Sequence, residues 1–263
     1  MDLGMRHKKA FVSGSTQGIG YAVAVELAAE GAEVVLNGRD AARVDAAVAR
    51  LAADVPGAHV SGIAADFADR SQVERLTASL DDIDILINNV GLFGLADFAL
   101  VTDDEWMRYL DVNVMSGVRL SRALLPAMLE RGWGRVVFIS SESGVNVPAD
   151  MVHYGVTKAA MLALGNGLAK LTRGTAVTVN TVLGGPTFSD GVAASVDAVA
   201  EAQSVPPEAM RDAIIAQNRT TLLERFIEPS EVASLVAYLA SPRASATNGA
   251  ALRADGGVLT GLL

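Results

Sequence analysis

Short β-branched runs alternate with alanine-rich amphipathic stretches from one end of the chain to the other, and this alternation limits the fold more than any other feature. Strand patterns fall at residues 9–13, 33–37, 59–65, 83–87, 135–140, 176–182 and 250–254. Between them, helical patterns fall at 18–30, 41–53, 71–80, 103–131, 152–172 and 229–240, with Ser71 placed to cap the third. Such a rhythm demands parallel strands joined by crossover helices, because a parallel pair cannot close through a tight turn. The run 136–139 is apolar throughout and 83–87 is apolar but for Asp84, as expected of strands covered on both faces. The expectation is one α/β domain over residues 1–263, a doubly wound Rossmann-like sheet of about seven strands with helices on both faces. The one long break in the rhythm is 187–228, which follows a strand's C-terminal end. It reads either as a substrate-covering insertion or as a solvated helical excursion.

Composition narrows the class. Of 263 residues, 51% are apolar and 19% charged, so the chain can bury enough surface to order itself. There is no cysteine, which removes disulfide scaffolds and thiol catalysis, and the three histidines, His7, His59 and His153, have no ligand spacing. No metal site is expected. The charge-free runs 10–25 and 174–189 are too short and too broken by Gly, Ser and Thr to span a membrane. The N-terminus lacks a leader-type apolar stretch, so a cytoplasmic location is expected. A net charge of −9 argues against nucleic acid as a partner.

The first strand pattern runs directly into Ser13-Gly14-Ser15-Thr16-Gln17-Gly18-Ile19-Gly20, which opens the first helix. Glycines there let the backbone approach a pyrophosphate, and the helix N-terminus supplies free N–H groups and the positive end of its dipole. Residues Gly14 to Gly20 are therefore cofactor-binding candidates. The second strand ends Leu36-Asn37-Gly38-Arg39, without the acid that would accept from a ribose 2′-hydroxyl. Arg39 offers a cation for a 2′-phosphate, which favours NADP(H) and leaves NAD(H) possible. Asp40 is placed to pair with Arg39 instead. Gln17 stands where a second basic residue would help, so Arg39 is expected to act alone.

Tyr154 and Lys158 lie four apart on one helix, thirteen residues beyond Ser141. An ammonium beside a phenol favours the phenolate, so Tyr154 is expected to have a lowered pKa and to serve as general acid/base. With the glycine loop, these residues resemble the short-chain dehydrogenases/reductases, 3-oxoacyl-carrier-protein reductases among them, over essentially the whole chain. The resemblance implies that Ser141 polarises the substrate oxygen, Tyr154 exchanges a proton with it, and Lys158 binds the nicotinamide ribose. It further implies that Asn113, in the long helix, holds a water linking Lys158 to solvent. Asp66 with Phe67, Asn89, Val90 and Gly91, and the backbone at Thr187 complete the implied cofactor contacts. Gly184 stands where the family usually has proline, and a looser nicotinamide loop is expected there.

Apolar candidates for the substrate pocket are Phe93, Leu95, Phe98, the stretch 145–152 and Phe188, pointing to a carbonyl or secondary alcohol on a modest apolar skeleton. An acidic carrier protein would need a basic patch, for which Arg131, Arg135 and Arg173 are the candidates. His153 points away from Tyr154 around the helix and is expected to pack. The resemblance implies a homotetramer, built through the helices at 103–131 and 152–172. The alternative to an NADP(H)-dependent oxidoreductase is a catalytically silent dinucleotide sensor on the same fold.

Overall fold

In a computed structural model, which describes residues 2–217 and 220–262, all seven strands lie in one parallel sheet. They are β1 (Lys9–Val12), β2 (Glu33–Gly38), β3 (Val60–Ala64), β4 (Ile85–Asn88), β5 (Trp133–Ser141), β6 (Ala176–Gly184) and β7 (Ala251–Ala254). Their order across the sheet is β3-β2-β1-β4-β5-β6-β7. The chain thus reverses its direction of travel between β1 and β4, and a crevice opens there at the strands' C-terminal ends, where open α/β sheets bind ligands.

Two apolar layers cover the faces. On one, Val23, Ala24 and Leu27 of α1 (Gly18–Ala29) pack with Val232, Val236 and Leu239 of α9 (Pro229–Ala240) over Val12, Ile87 and Val137. On the other, Leu120, Leu124 and Met128 of α5 (Ser116–Arg131) lie over Phe11, Leu86 and Phe138, with Met161 of α6 (Val152–Leu171). Phe138 has no exposed surface, and both covering helices present glycine to its ring. A Cβ on Gly117 of α5 would stand 2.8 Å from that ring, and one on Gly165 of α6 3.4 Å.

Three local expectations need correction. Helix α3 (Arg70–Ser79) is capped by Asp69, whose carboxylate accepts from the Ser71 and Gln72 amides, so Ser71 is inside the helix. A carboxylate two residues earlier reaches those amides better than the Ser71 hydroxyl could. The long helix at 103–131 is not uniform. It runs as α4 (Asp103–Tyr109), a π-helical turn (Leu110–Met115) and α5, with Asn113 inside the π turn. Finally, β6 continues through Gly184, which pairs with Ser141 of β5 and Ala254 of β7. Ladder bonds on both sides hold the position expected to be loose.

Helix α2 spans Ala41–Asp54. The stretch after β6 forms α7 (Asp190–Gln203) and α8 (Pro207–Gln217), packed on each other through Val196, Ala200 and Met210, with Phe188 against them.

Candidate active site and cofactor cleft

The glycine loop is stitched to the end of β4. Ser13 Oγ donates to Ile87 O (3.1 Å) and accepts from Asn89 N (2.9 Å) and Val90 N (3.2 Å). Asn89 Nδ2 donates to Ser13 O (3.0 Å) and Gly14 O (2.8 Å). A Cβ on Gly20 would stand 2.4 Å from both Asn89 Nδ2 and Gly14 O, so only glycine allows α1 to begin this close to β4. The side chain of Ser15 turns inward, donating to Val12 O (2.7 Å). Ser15 and Gly20 therefore shape the loop from behind.

Beside this loop runs a groove of about 390 Å³ lined by Gly14, Thr16, Gln17, Arg39, Asp66, Phe67, Val90 and Gly91, with Arg43, Arg108 and others. Asp40 caps α2, accepting from Arg43 N (2.8 Å), and among the described residues no carboxylate pairs with Arg39. Arg39 is not alone, however. Arg43, one turn along α2, lines the same groove and donates to Gln17 Oε1. The residues fit a dinucleotide phosphate, with a tight glycine cradle and, beside it, two exposed guanidinium groups.

The catalytic candidates meet in an adjoining pocket of about 290 Å³, which Ile19, Ser141, Tyr154, Lys158 and Thr187 help to line. The short 3-10 turn Glu142–Gly144 brings Ser141 against α6. A Cβ on Gly144 would be 2.8 Å from the Lys158 carbonyl carbon, and one on Gly155 2.8 Å from Ser143 O. Ser140 Oγ donates to Lys158 O (2.9 Å), so the neighbour of Ser141 pins the helix. Lys158 is 5% exposed, its Nζ donating to Ile139 O at 3.0 Å and lying 5.5 Å from the Tyr154 ring centroid. A Cβ on Gly91 would lie 3.5 Å from Lys158 Nζ and 3.6 Å from Asn113 Oδ1, which places Asn113 in the cluster. The Asn113 amide bonds Leu92 on both its N–H (2.6 Å) and carbonyl (2.9 Å), and also Thr157 Oγ1 (2.9 Å). Its side chain is thus committed to holding the π turn beside α6.

Electrostatics here run opposite to the simple pairing argument. Burial pushes the Tyr154 phenol well above its ordinary value; the Ser141 hydrogen bond opposes this, while Glu142 and Tyr109 add to it. Burial also pushes Lys158 down to about 8, against an opposing pull from Glu142. Desolvation outweighs the attraction of opposite charges, so both groups lean toward neutrality.

Two residues of this region went unnoticed in the sequence. Glu142 receives the Ser141 hydroxyl on Oε2 and that of Ser143 on Oε1 (3.2 Å). Asp190, at the start of α7, accepts from Gly18 N at 2.6 Å, on the phosphate loop itself. Neither belongs to a sequence pattern, since each reaches the site through tertiary placement.

Other candidates separate. Phe93 and Met151 line the pocket that holds Ser141 and Tyr154, whereas Leu95 and Phe98 are exposed outside it. The basic patch is not formed at the site: Arg135 is 1% exposed and bonded to the carbonyls of Ser241, Gly134 and Ala176, while Arg131 bonds Ile83 O, all near the N-terminal strand ends. His153 is buried, its ring edge-on to Tyr109 (4.4 Å between centroids). A larger cavity of about 470 Å³ beside α8 shares no lining residue with either site region. Among the described residues no cluster of potential ligands could hold a metal, and no helix is long and apolar enough to cross a membrane.

Comparison with known proteins gives a consistent result. The short chain dehydrogenase family matches residues 8–199. The chain is 42% identical to the uncharacterized oxidoreductase YvrD of Bacillus subtilis, over 100% of both chains. It is 31% identical to the 3-oxoacyl-[acyl-carrier-protein] reductase FabG of Pseudomonas aeruginosa, over 97% of this chain and 99% of that one. Among solved structures it is similar to L-sorbose reductase from Gluconobacter frateurii complexed with NADPH and L-sorbose, with a TM-score of 0.93, 30% identity and 100% of both chains covered.

Two predictions rest on this geometry. A lysine whose folded-state pKa is depressed binds fewer protons folded than unfolded between about 8 and its ordinary value near 10.4, so its burden on stability lightens as pH rises through that window. Chemical denaturation of the wild type and Lys158→Met should therefore show the largest advantage for the methionine variant at pH 7, shrinking by pH 9.5. Asp190→Asn should tighten NADPH binding by about two- to fivefold, read by cofactor fluorescence, because it removes an anion from the helix N-terminus that a phosphate would use.

Proposed function

The chain belongs to the short-chain dehydrogenase family and is an NAD(P)-dependent oxidoreductase; from that premise we propose that it is an NADP(H)-dependent carbonyl reductase in which Tyr154 is the general acid. The observation that carries this reading is the convergence of Ser141, Tyr154 and Lys158 on one pocket that adjoins the glycine-loop groove.

Gly14, Thr16, Gln17, Gly18 and Ile19 would hold the pyrophosphate, with Ser15 and Gly20 shaping the loop, while Arg39 and Arg43 take the 2′-phosphate. Asp66, Phe67, Asn89, Val90 and Gly91 would bound the adenosine and ribose region, and Thr187 the nicotinamide amide. When bound, the cofactor supplies the hydride that reduces the carbonyl carbon.

The chain's own groups supply the proton. Tyr154, kept protonated by burial, is poised to donate, which suits the reductive direction. As the carbonyl oxygen gains negative charge, the Tyr154 O–H bond breaks and its proton passes to that oxygen, giving the alcohol. Ser141 steadies the same oxygen by turning its hydroxyl from Glu142 toward it. Lys158, held by Ile139 O, limits the charge left on Tyr154, and Asn113 acts by fixing the π turn beside it.

A small ketone suits the pocket better than a carrier-bound acyl group, since Arg131 and Arg135, candidates for a basic docking patch, lie near the N-terminal strand ends, away from the pocket. The solved relative bound to L-sorbose, a hydroxylated ketone, supports that reading. Exposed apolar residues on the relevant helices, Met107, Val156 and Leu171, support assembly into a homotetramer through α4–α5 and α6. A cysteine-free enzyme using NADPH suits the cytoplasm.

NADPH oxidation against a panel of ketones tests the reading. Tyr154→Phe should lower kcat by about 10²–10⁴-fold while NADPH still binds. Arg39→Ala should raise the KM for NADPH by about tenfold and leave that for NADH nearly unchanged. Tight NADPH binding without turnover of any carbonyl would favour the sensor instead.

A further inference from the structure

Among the described residues two charged side chains line the catalytic pocket, Lys158 and Glu142. Lys158 is engaged by Ile139 O, and the proposed function gives it the task of limiting the charge on Tyr154. Glu142 remains, directly beside the serine that must hold the substrate oxygen. Its backbone cannot drift away: its carbonyl accepts from Val145 N and Asn146 N, each at 2.9 Å. The turn it begins is packed against the α6 backbone through Gly144.

We infer that Glu142 selects the substrate, favouring a ketone that carries a hydroxyl on the carbon next to the carbonyl and disfavouring one that carries a carboxylate there or one carbon further. The argument is a hydrogen-bond account. Ser141 has one proton, and it is donated to Glu142 Oε2. When a carbonyl oxygen arrives, that proton turns to it, and Oε2 loses its donor. Ser143 Oγ stays on Oε1, so it does not fill the gap. A hydroxyl on the adjacent carbon sits close to the carbonyl oxygen and supplies the missing donor to Oε2. A plain ketone leaves the carboxylate oxygen unpaired in a partly buried pocket, and a hydrogen bond to a charged group lost in this way is expensive. An anionic substrate meets like charge at short range, with only Lys158 to offset it.

This inference rests on the reductase reading, and its test separates the two. The kcat/KM for NADPH-dependent reduction is measured with 1-hydroxy-2-butanone, 2-butanone and acetoacetate. Wild type, Glu142→Gln and Glu142→Ala are compared. The wild type should prefer the hydroxyketone over 2-butanone by about tenfold or more. That ratio should fall toward parity in Glu142→Ala and to an intermediate value in Glu142→Gln. Acetoacetate should improve relative to 2-butanone in both variants. Because Gln matches Glu in shape, it carries the test if the alanine variant does not fold. Turnover of all three ketones without preference in the wild type, or a ratio unchanged by substitution, overturns the role of Glu142 and leaves the reductase reading standing. No turnover of any carbonyl by a protein that binds NADPH overturns both.

Discussion

The seating of α6 against the C-terminal end of β5 is the constraint on which the site depends. Ser140 Oγ bonded to Lys158 O, Lys158 Nζ bonded to Ile139 O, and the close approaches at Gly144 and Gly155 together bring one strand end and one helix face into register. Ser141 comes from the strand, Tyr154 and Lys158 from the helix, and neither element could form the pocket alone. Asn113 ties the third partner in: its amide reaches Thr157 on α6 from inside a π turn. A π turn adds a residue to the helical circuit and is found mostly where a helix must present a group off its regular face.

The same close packing governs the electrostatics. A lysine buried with one carbonyl acceptor, five and a half ångströms from a tyrosine ring, is a costly arrangement for folding. On the proposed mechanism, its effect is to remove water from the place where a proton moves, so that a few fixed dipoles act in a low dielectric. Tyr154 holds its proton tightly as a result. Stability is lost where chemistry gains, the usual relation between an active site and its scaffold.

Much of this was visible in the linear chain because it is periodic or local. The strand and helix alternation follows from chain-local patterning, and the parallel sheet follows from the alternation. The glycine loop and the four-residue step from Tyr154 to Lys158 are geometric statements about one turn of backbone. What escaped is what depends on tertiary approach. The Tyr154 shift came out with the wrong sign because spacing reports the nearby ammonium and not the burial of both groups. Arg43 joins Arg39 only because α2 starts at the groove. Asp190 reaches Gly18 across 172 positions of sequence, and Glu142 gains meaning only from the pocket it faces. Gly184, read as a weak point, is held by two neighbouring strands that local reading could not supply.

The central claim is that hydride arrival and proton donation from Tyr154 belong to one step. The most direct measurement is the single-turnover rate of carbonyl reduction with NADPH deuterated at the transferred position of nicotinamide C4, in H2O and in D2O. Wild type and Tyr154→Phe are compared. The account predicts that the wild type slows with either isotope and slows further with both together, and that the solvent effect disappears in the phenylalanine variant. A solvent effect of equal size in both proteins would contradict it, because the proton would then come from somewhere other than Tyr154.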